Sequence, residues 1–163
     1  MTLQELEEIA KKMVKRPLLG RKLYIWLGGM KGLRELLPHE IIFEIDLLDL
    51  VTEEEATSEA DTQRQLKKSL EIRLDALQKN HKGQQILLAA NGILLIRYHV
   101  SLNPFYARYL SDRTMVVIQI PRGERKESFP SYVEFHPDEV LENLLNMVPE
   151  ENRNNIVYGG IDG

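Results

Sequence analysis

The sequence predicts a three-layer α/β sandwich around a mostly parallel sheet, formed as one domain. Three observations carry this. Short apolar runs alternate with stretches of helical periodicity, as a sheet with crossover helices requires. The runs are near-continuously apolar, so both faces of the sheet are expected to be covered. No internal repeat or compositional break divides the 163 residues.

The first element is a helix over 1–16. Thr2 and Glu5 form a capping box in which each side chain satisfies the other's backbone donor. Behind it Leu3, Leu6, Ile9, Ala10, Met13 and Val14 fall on one stripe, and Pro17 stops the helix. "LYIWLGG" is the first strand, ended by Gly28 and Gly29. "EIIFEIDLLDLV" is the second, running into Asp46 and Asp49, and the acidic "TEEEATSEADTQ" reads as an exposed loop.

Thr62 and Gln65 make a second capping box, predicted to open the clearest helix. Leu66, Leu70, Leu74 and Leu77 give it one buried face, and Arg64, Lys67, Lys68, Glu71 and Arg73 its wet one. Gly83 is the expected cap at its end. "QQILLAAN" is the third strand. "GILLIRYHVSLNPFYARYLSD" is predicted helical on both sides of Pro104, with the proline starting or kinking a helix.

"RTMVVIQIP" is the fourth strand, rich in β-branched residues. A charged loop follows, then "SYVEF" as a short fifth strand. "HPDEVLENLLNMV" is a helix with Pro137 in its first position and Asp138 and Glu139 in its first turn. Residues 149–163 are polar and glycine-rich and are expected to be a loose tail, with Ile156, Val157 and Tyr158 as a candidate edge strand.

Composition bounds the function. Hydrophobic residues make up 43% and charged residues 28%, ordinary for a soluble globular protein. No apolar run reaches the roughly 18 residues of a membrane span. The start lacks the apolar core of a secretory signal, so the expected location is the cytoplasm. With no cysteine, disulfides, thiolate metal sites and cysteine nucleophiles are excluded. A net charge of −4 does not favour nucleic acid beyond a local patch.

In open α/β sheets, ligands bind beyond the carboxyl ends of the strands. After strand one stands "GGMKGL", the outline of a phosphate-binding loop. A working loop needs G-x-x-x-x-G-K-[ST], so that amides wrap the phosphates, lysine neutralises them and the hydroxyl holds magnesium. Here Lys31 precedes Gly32, and Leu33 and Arg34 stand where the hydroxyl belongs. Strand three should end in an acid that holds magnesium; it ends in Ala89, Ala90 and Asn91. Nucleotide hydrolysis is therefore not expected. Gly28, Gly29, Lys31 and Gly32 remain candidates for simple anion binding.

Other chemistry finds less support. His39, His81, His99 and His136 lack the spacing of a zinc site, and no G-x-S-x-G elbow occurs. Asp46 and Asp49 follow strand two, but no partner carboxylate can be assigned. Arg113, beside Asp112, is a candidate for pairing or subunit contact. The loop carrying Arg122, Arg125 and Lys126 is the most basic patch, interrupted by Glu124 and Glu127, and could touch DNA phosphate.

From Gln84 to Val140 the chain resembles the small P-loop-like proteins of BREX phage-defence loci, type 3 in particular. The resemblance lies in an apolar helix after a strand, then Leu110, Ser111 and Arg113 feeding a strand that runs to Pro121 and Gly123. It continues in Tyr132, His136 and Pro137. A more distant similarity is to the DUF1788-type protein of other BREX loci. The resemblance implies a P-loop-NTPase-like fold and membership of a multi-protein antiviral system with a methyltransferase, a phosphatase-like subunit and a large ATPase. Because the lysine–hydroxyl pair and the strand-three acid are missing, no catalytic residue is carried over.

The expectation is a non-catalytic, cofactor-free scaffold subunit acting through contacts with other protein subunits, without membrane association. The alternatives are an atypical NTPase or nucleotide-binding regulator using the Gly28–Gly32 turn, and a DNA-contacting accessory protein.

Overall fold

The computed structural model describes residues 2–15, 22–51, 58–80, 85–105, 113–121, 137–148 and 150–159. Five strands form one all-parallel sheet: β1 (Lys22–Leu27), β2 (Ile42–Asp46), β3 (Gln85–Ala90), β4 (Thr114–Ile120) and β5 (Ile156–Tyr158). Their order across the sheet is β2-β3-β4-β1-β5. In register, Trp26 lies beside Gln119 and Val157, and Asp46 beside Ala90.

The helices are α1 (Leu3–Lys15), α2 (Met30–Leu36), α3 (Glu59–Asn80), α4 (Ile93–Arg97) and α5 (Pro137–Met147). Because strand side chains alternate in direction, each strand feeds two cores. Leu23, Ile25, Leu87, Ala89, Val116 and Ile118 face α3, α4 and α5, which contribute Leu66, Leu70, Leu74, Ile93, Ile96 and Leu144. Tyr24, Trp26, Ile86, Leu88, Met115 and Val117 face the other way, against Leu6 and Ala10 of α1 and Leu33 and Leu37 of α2. This is the three-layer sandwich expected, with β3 and β4 buried along their whole lengths.

The capping box of α1 is present: the Thr2 amide donates to Glu5 Oε2 at 2.8 Å and the Glu5 amide to Thr2 Oγ1 at 3.1 Å. Leu3, however, is exposed. It is the first residue of the helix. α5 begins at Pro137 as expected.

Three expectations are corrected. α3 opens a turn earlier than Thr62: the Asp61 amide donates to Ser58 Oγ, and Thr62 is buried with its hydroxyl bonded to the Ser58 carbonyl. The stretch around Pro104 is not one kinked helix. α4 ends at Arg97, His99 adopts φ 51°, and Pro104 sits in a 3₁₀ turn, Asn103–Phe105. The proline lacks the amide a helix interior needs. The tail is not loose over 150–155, where Glu150–Asn155 is a 3₁₀ turn, while the edge strand expected at Ile156, Val157 and Tyr158 is present as β5, paired with β1. There Asn155 Nδ2 donates to the Leu23 carbonyl, tying the turn to the strand. The strand expected at "SYVEF" and the cap at Gly83 lie outside the described residues.

Candidate functional site

β1 and β4 are neighbours whose chains leave in opposite directions. α2 carries β1 to the far edge over one face, while α5 carries β4 towards β5 over the other. That reversal is the topological switch point where open α/β sheets place their ligand crevice. The glycine turn lies on it, joining a central strand directly to a helix. The fold is an open, all-parallel α/β sandwich with helices on both faces.

The turn itself is short. β1 ends at Leu27 and α2 starts at Met30, leaving Gly28 and Gly29 between them, both buried. The Gly28 amide donates to the Ile120 carbonyl at 3.0 Å. The Gly28 carbonyl accepts from Gln119 Nε2 at 2.7 Å, and the Gly29 carbonyl from Trp26 Nε1 at 3.0 Å. A phosphate loop presents amides to its ligand; this one turns both carbonyls onto donors of its own sheet and spends one amide on β4. α2 is seven residues long and has no side-chain cap.

The remaining strand ends extend the same network. Gln119 Oε1 accepts from the Asn91 amide at 2.8 Å, and the Gly92 amide donates to the Gln119 carbonyl at 2.7 Å. Asn91 Nδ2 donates to Asp46 Oδ1 at 2.8 Å, which also accepts the Leu48 amide at 3.0 Å. Beyond β1, the Gly159 amide donates to the Leu27 carbonyl at 2.8 Å. Hydrogen bonds thus run across all five strand ends.

Local sequence explains each member. Gln119 is the one long polar residue inside a β-branched strand, 2% exposed, so its amide must find partners within the protein. Asn91 takes φ 59°, a left-handed conformation that asparagine tolerates through its short polar side chain. Gly92 permits a close approach: a Cβ there would lie 2.3 Å from Ile118 Cγ2. Gly159 does the same for Trp26, whose ring would lie 2.2 Å from an added Cβ. Trp26 therefore fills the space under the turn and beside the end of β5.

The predicted candidates are not brought together. Gly28 and Gly29 are in the turn, while Lys31 and Gly32 are exposed on the first turn of α2. Arg113 is exposed just before β4, at the opposite end of the parallel sheet, with its carbonyl accepting the Gln85 amide. Arg122, Arg125 and Lys126 lie outside the described residues, as do Asp112, His81 and His136. Asp46 reaches the upper rim but serves as a cap and as partner to Asn91; Asp49 is exposed. Among the described residues no group of three or more His, Asp or Glu is placed to hold a metal ion. No described helix is long and apolar enough to cross a membrane.

Reasoning from sequence missed Gln119 and Trp26. A lone glutamine within "MVVIQI" and a tryptophan just before a double glycine were the available signals. Each is a large side chain with a donor in a strand expected to be buried on both sides.

No protein-family model matches the chain, and no curated protein sequence matches it. Among solved structures it is similar to the Aeropyrum pernix ORC2 protein in its ADP form, at 10% identity and a TM-score of 0.44. The match covers 96% of this chain and 47% of that one, so this chain spans about half the length of that protein.

Proposed function

We propose that the protein is a cytoplasmic, non-catalytic α/β subunit that works by binding other proteins, in a BREX-like antiviral complex. The observation that supports this best is the self-pairing at the switch point. The Gly28 amide is spent on the Ile120 carbonyl, while Gln119 and Trp26 pin the two glycine carbonyls to the sheet. Beside them strand three ends in Ala89, Ala90 and Asn91, with no carboxylate for magnesium. The resemblance of residues 84–140 supplies the setting, since P-loop-like proteins of defence loci act beside larger enzymatic subunits.

Calorimetry with ATP and GTP, with and without magnesium, tests the first half of the reading. The expected result is no binding heat and no thermal shift at millimolar nucleotide. A magnesium-dependent shift that disappears in Lys31→Ala would instead favour the nucleotide-binding alternative. Affinity purification of the tagged protein expressed from its native locus tests the second half. Stoichiometric recovery of the locus's large subunits is expected, and recovery of the chain alone would end the proposal.

A further inference from the structure

The sheet ends in β5 on one side and β2 on the other. β5 is three residues long and runs straight into Gly159. β2 is five residues long and keeps an unbroken parallel register with β3. It contains no lysine or proline, residues with which proteins blunt an exposed edge.

The ladder fixes which way its backbone points. The Gln85 amide donates to the Arg113 carbonyl, so Gln85, Leu87 and Ala89 turn their main chain to β4, and Ile86, Leu88 and Ala90 turn theirs to β2. With Ile86 beside Ile42 and Leu88 beside Glu44, the inward groups of β2 belong to Phe43 and Ile45. The Ile42 carbonyl, the Glu44 amide and carbonyl, and the Asp46 amide point the other way, where no described strand lies. Burial agrees: β3 is buried throughout, whereas Phe43 is 38% exposed and Glu44 is exposed beside it. Ile42 packs on the α2 side of the sheet and Ile45 on the α3 side, so Glu44 and Asp46 belong to the first face and Phe43 to the second.

Charge selects the occupant of this edge. Ten of the 25 acidic residues lie between Arg34 and Arg64, and all 21 lysines and arginines lie outside that stretch. β2 and the turns flanking it run through it. Glu40 before the strand and Asp49 after it are exposed and carry no ion pair among the described residues. Glu44 is paired with Arg34 of α2, which cancels that cation. Asp46 accepts only from the uncharged Asn91 side chain and Leu48 amide. Pairing β2 with β2 of a second copy would set the acids of one edge against those of the other, which like charge opposes.

We propose that β2 takes up an extended, basic segment of a partner protein as an added strand. Its main chain bonds to Ile42, Glu44 and Asp46, its lysines or arginines lie towards Glu40, Asp46 and Asp49, and apolar residues alternate with them beside Phe43. This rests on the reading of a subunit that binds proteins, and it does not need the antiviral setting.

The probe is a synthetic peptide of alternating lysine and valine, about eight residues long, within the range of ordinary strands. Added to the full chain at low salt, it should slow hydrogen exchange at the Glu44 and Asp46 amides at least about tenfold and leave Tyr158, on the other edge, unchanged. A twin with glutamate for lysine should not bind. A further version with N-methyl groups on its central amides keeps every charge and loses main-chain donors, so it should bind at least about tenfold more weakly. Glu40→Lys combined with Asp49→Lys alters exposed positions, should keep the wild-type circular dichroism, and should weaken the lysine peptide by about tenfold or more. Binding indifferent to N-methylation, equal protection by the acidic twin, or protection away from β2 overturns the proposal. So does a free protein that already protects Glu44 by pairing with a second copy. If the peptide fails while the locus's large subunits still co-purify, the edge site falls and the reading of a protein-binding subunit stands.

Discussion

The two ends of the sheet treat buried polar groups differently. At the upper end Gln119 uses both sides of its amide, donating to the Gly28 carbonyl and accepting the Asn91 amide. At the lower end Gln85, 1% exposed, donates from Nε2 to Thr114 Oγ1 at 3.0 Å, while its Oε1 is buried with no hydrogen-bond partner. The same residue type, equally buried in neighbouring strands, is a complete connector in one place and half-satisfied in the other. Burial alone therefore does not make a polar group structural; the number of partners it reaches does. The upper end, where the Gly28 amide and both glycine carbonyls are engaged, is the more fully paired of the two.

Removing the plug gives the largest expected effect. Trp26→Ala deletes a 1%-exposed ring and the donor on Gly29, which should cost about 3–5 kcal/mol, read as a fall in the urea midpoint. If the upper end owes its closure to this ring, Trp26→Phe should recover most of that loss, since it restores the packing and lacks only the hydrogen bond. A Trp26→Ala loss below about 1 kcal/mol would show that the space under the turn is not sealed by it.

The glutamine pair comes next and addresses the comparison directly. Gln119→Ala leaves the Gly28 carbonyl and the Asn91 amide without their partners and should cost about 2–4 kcal/mol. Gln85→Met removes an oxygen that has no partner along with one donor, and should lie within about 1 kcal/mol of wild type. Equal losses in chemical denaturation would erase the distinction between the two ends.

An exposed link supplies the smallest effect. Arg97 Nη2 donates to Glu59 Oε1 at 2.6 Å, joining the end of α4 to the start of α3. The hydrogen bond from Arg97, and then its charge, holds the Glu59 carboxyl below its ordinary value of 4.5. A lowered folded-state value means that the pair stabilises the protein above the unfolded value, and that this is lost as pH falls through the folded one. Wild type should therefore exceed Glu59→Gln slightly at pH 7, with the gap closing below about pH 4 in thermal melts. A gap that widened on acidification would reverse the sign.

Burial acts on one further group without a charged partner. Desolvation pushes the Tyr24 hydroxyl up to about 12, so β1 presents a neutral phenol to α1 across the whole physiological range.

The helices and central strands were legible in the sequence for a simple reason. Capping at Thr2, the four-residue spacing of Leu66, Leu70 and Leu74, and the unbroken apolar runs of β3 and β4 are local patterns, and local patterns survive folding. The start of α3 was misplaced because Ser58 and Thr62 are both plausible caps; only the packing that buries Thr62 separates them. At Pro104 a kink and a new helix start both fit the sequence; the structure removes the kink, and residues 106–112, where a new helix would run, lie outside the described ones. β5 forms at Ile156–Tyr158, the candidate edge strand of the sequence, along the open edge of β1.

The amino-acid sequence by itself determined the α/β class, the glycine turn and the missing magnesium ligands, because each depends on residues close together in the chain. Only the tertiary structure decided what became of the turn. Gln119 is separated from Gly28 by 91 positions and Gly159 lies far along the chain from Trp26, and strand pairing alone sets them side by side. A hydrogen bond across that separation leaves no periodic trace, since it depends on the order of strands in the sheet and not on spacing along the chain.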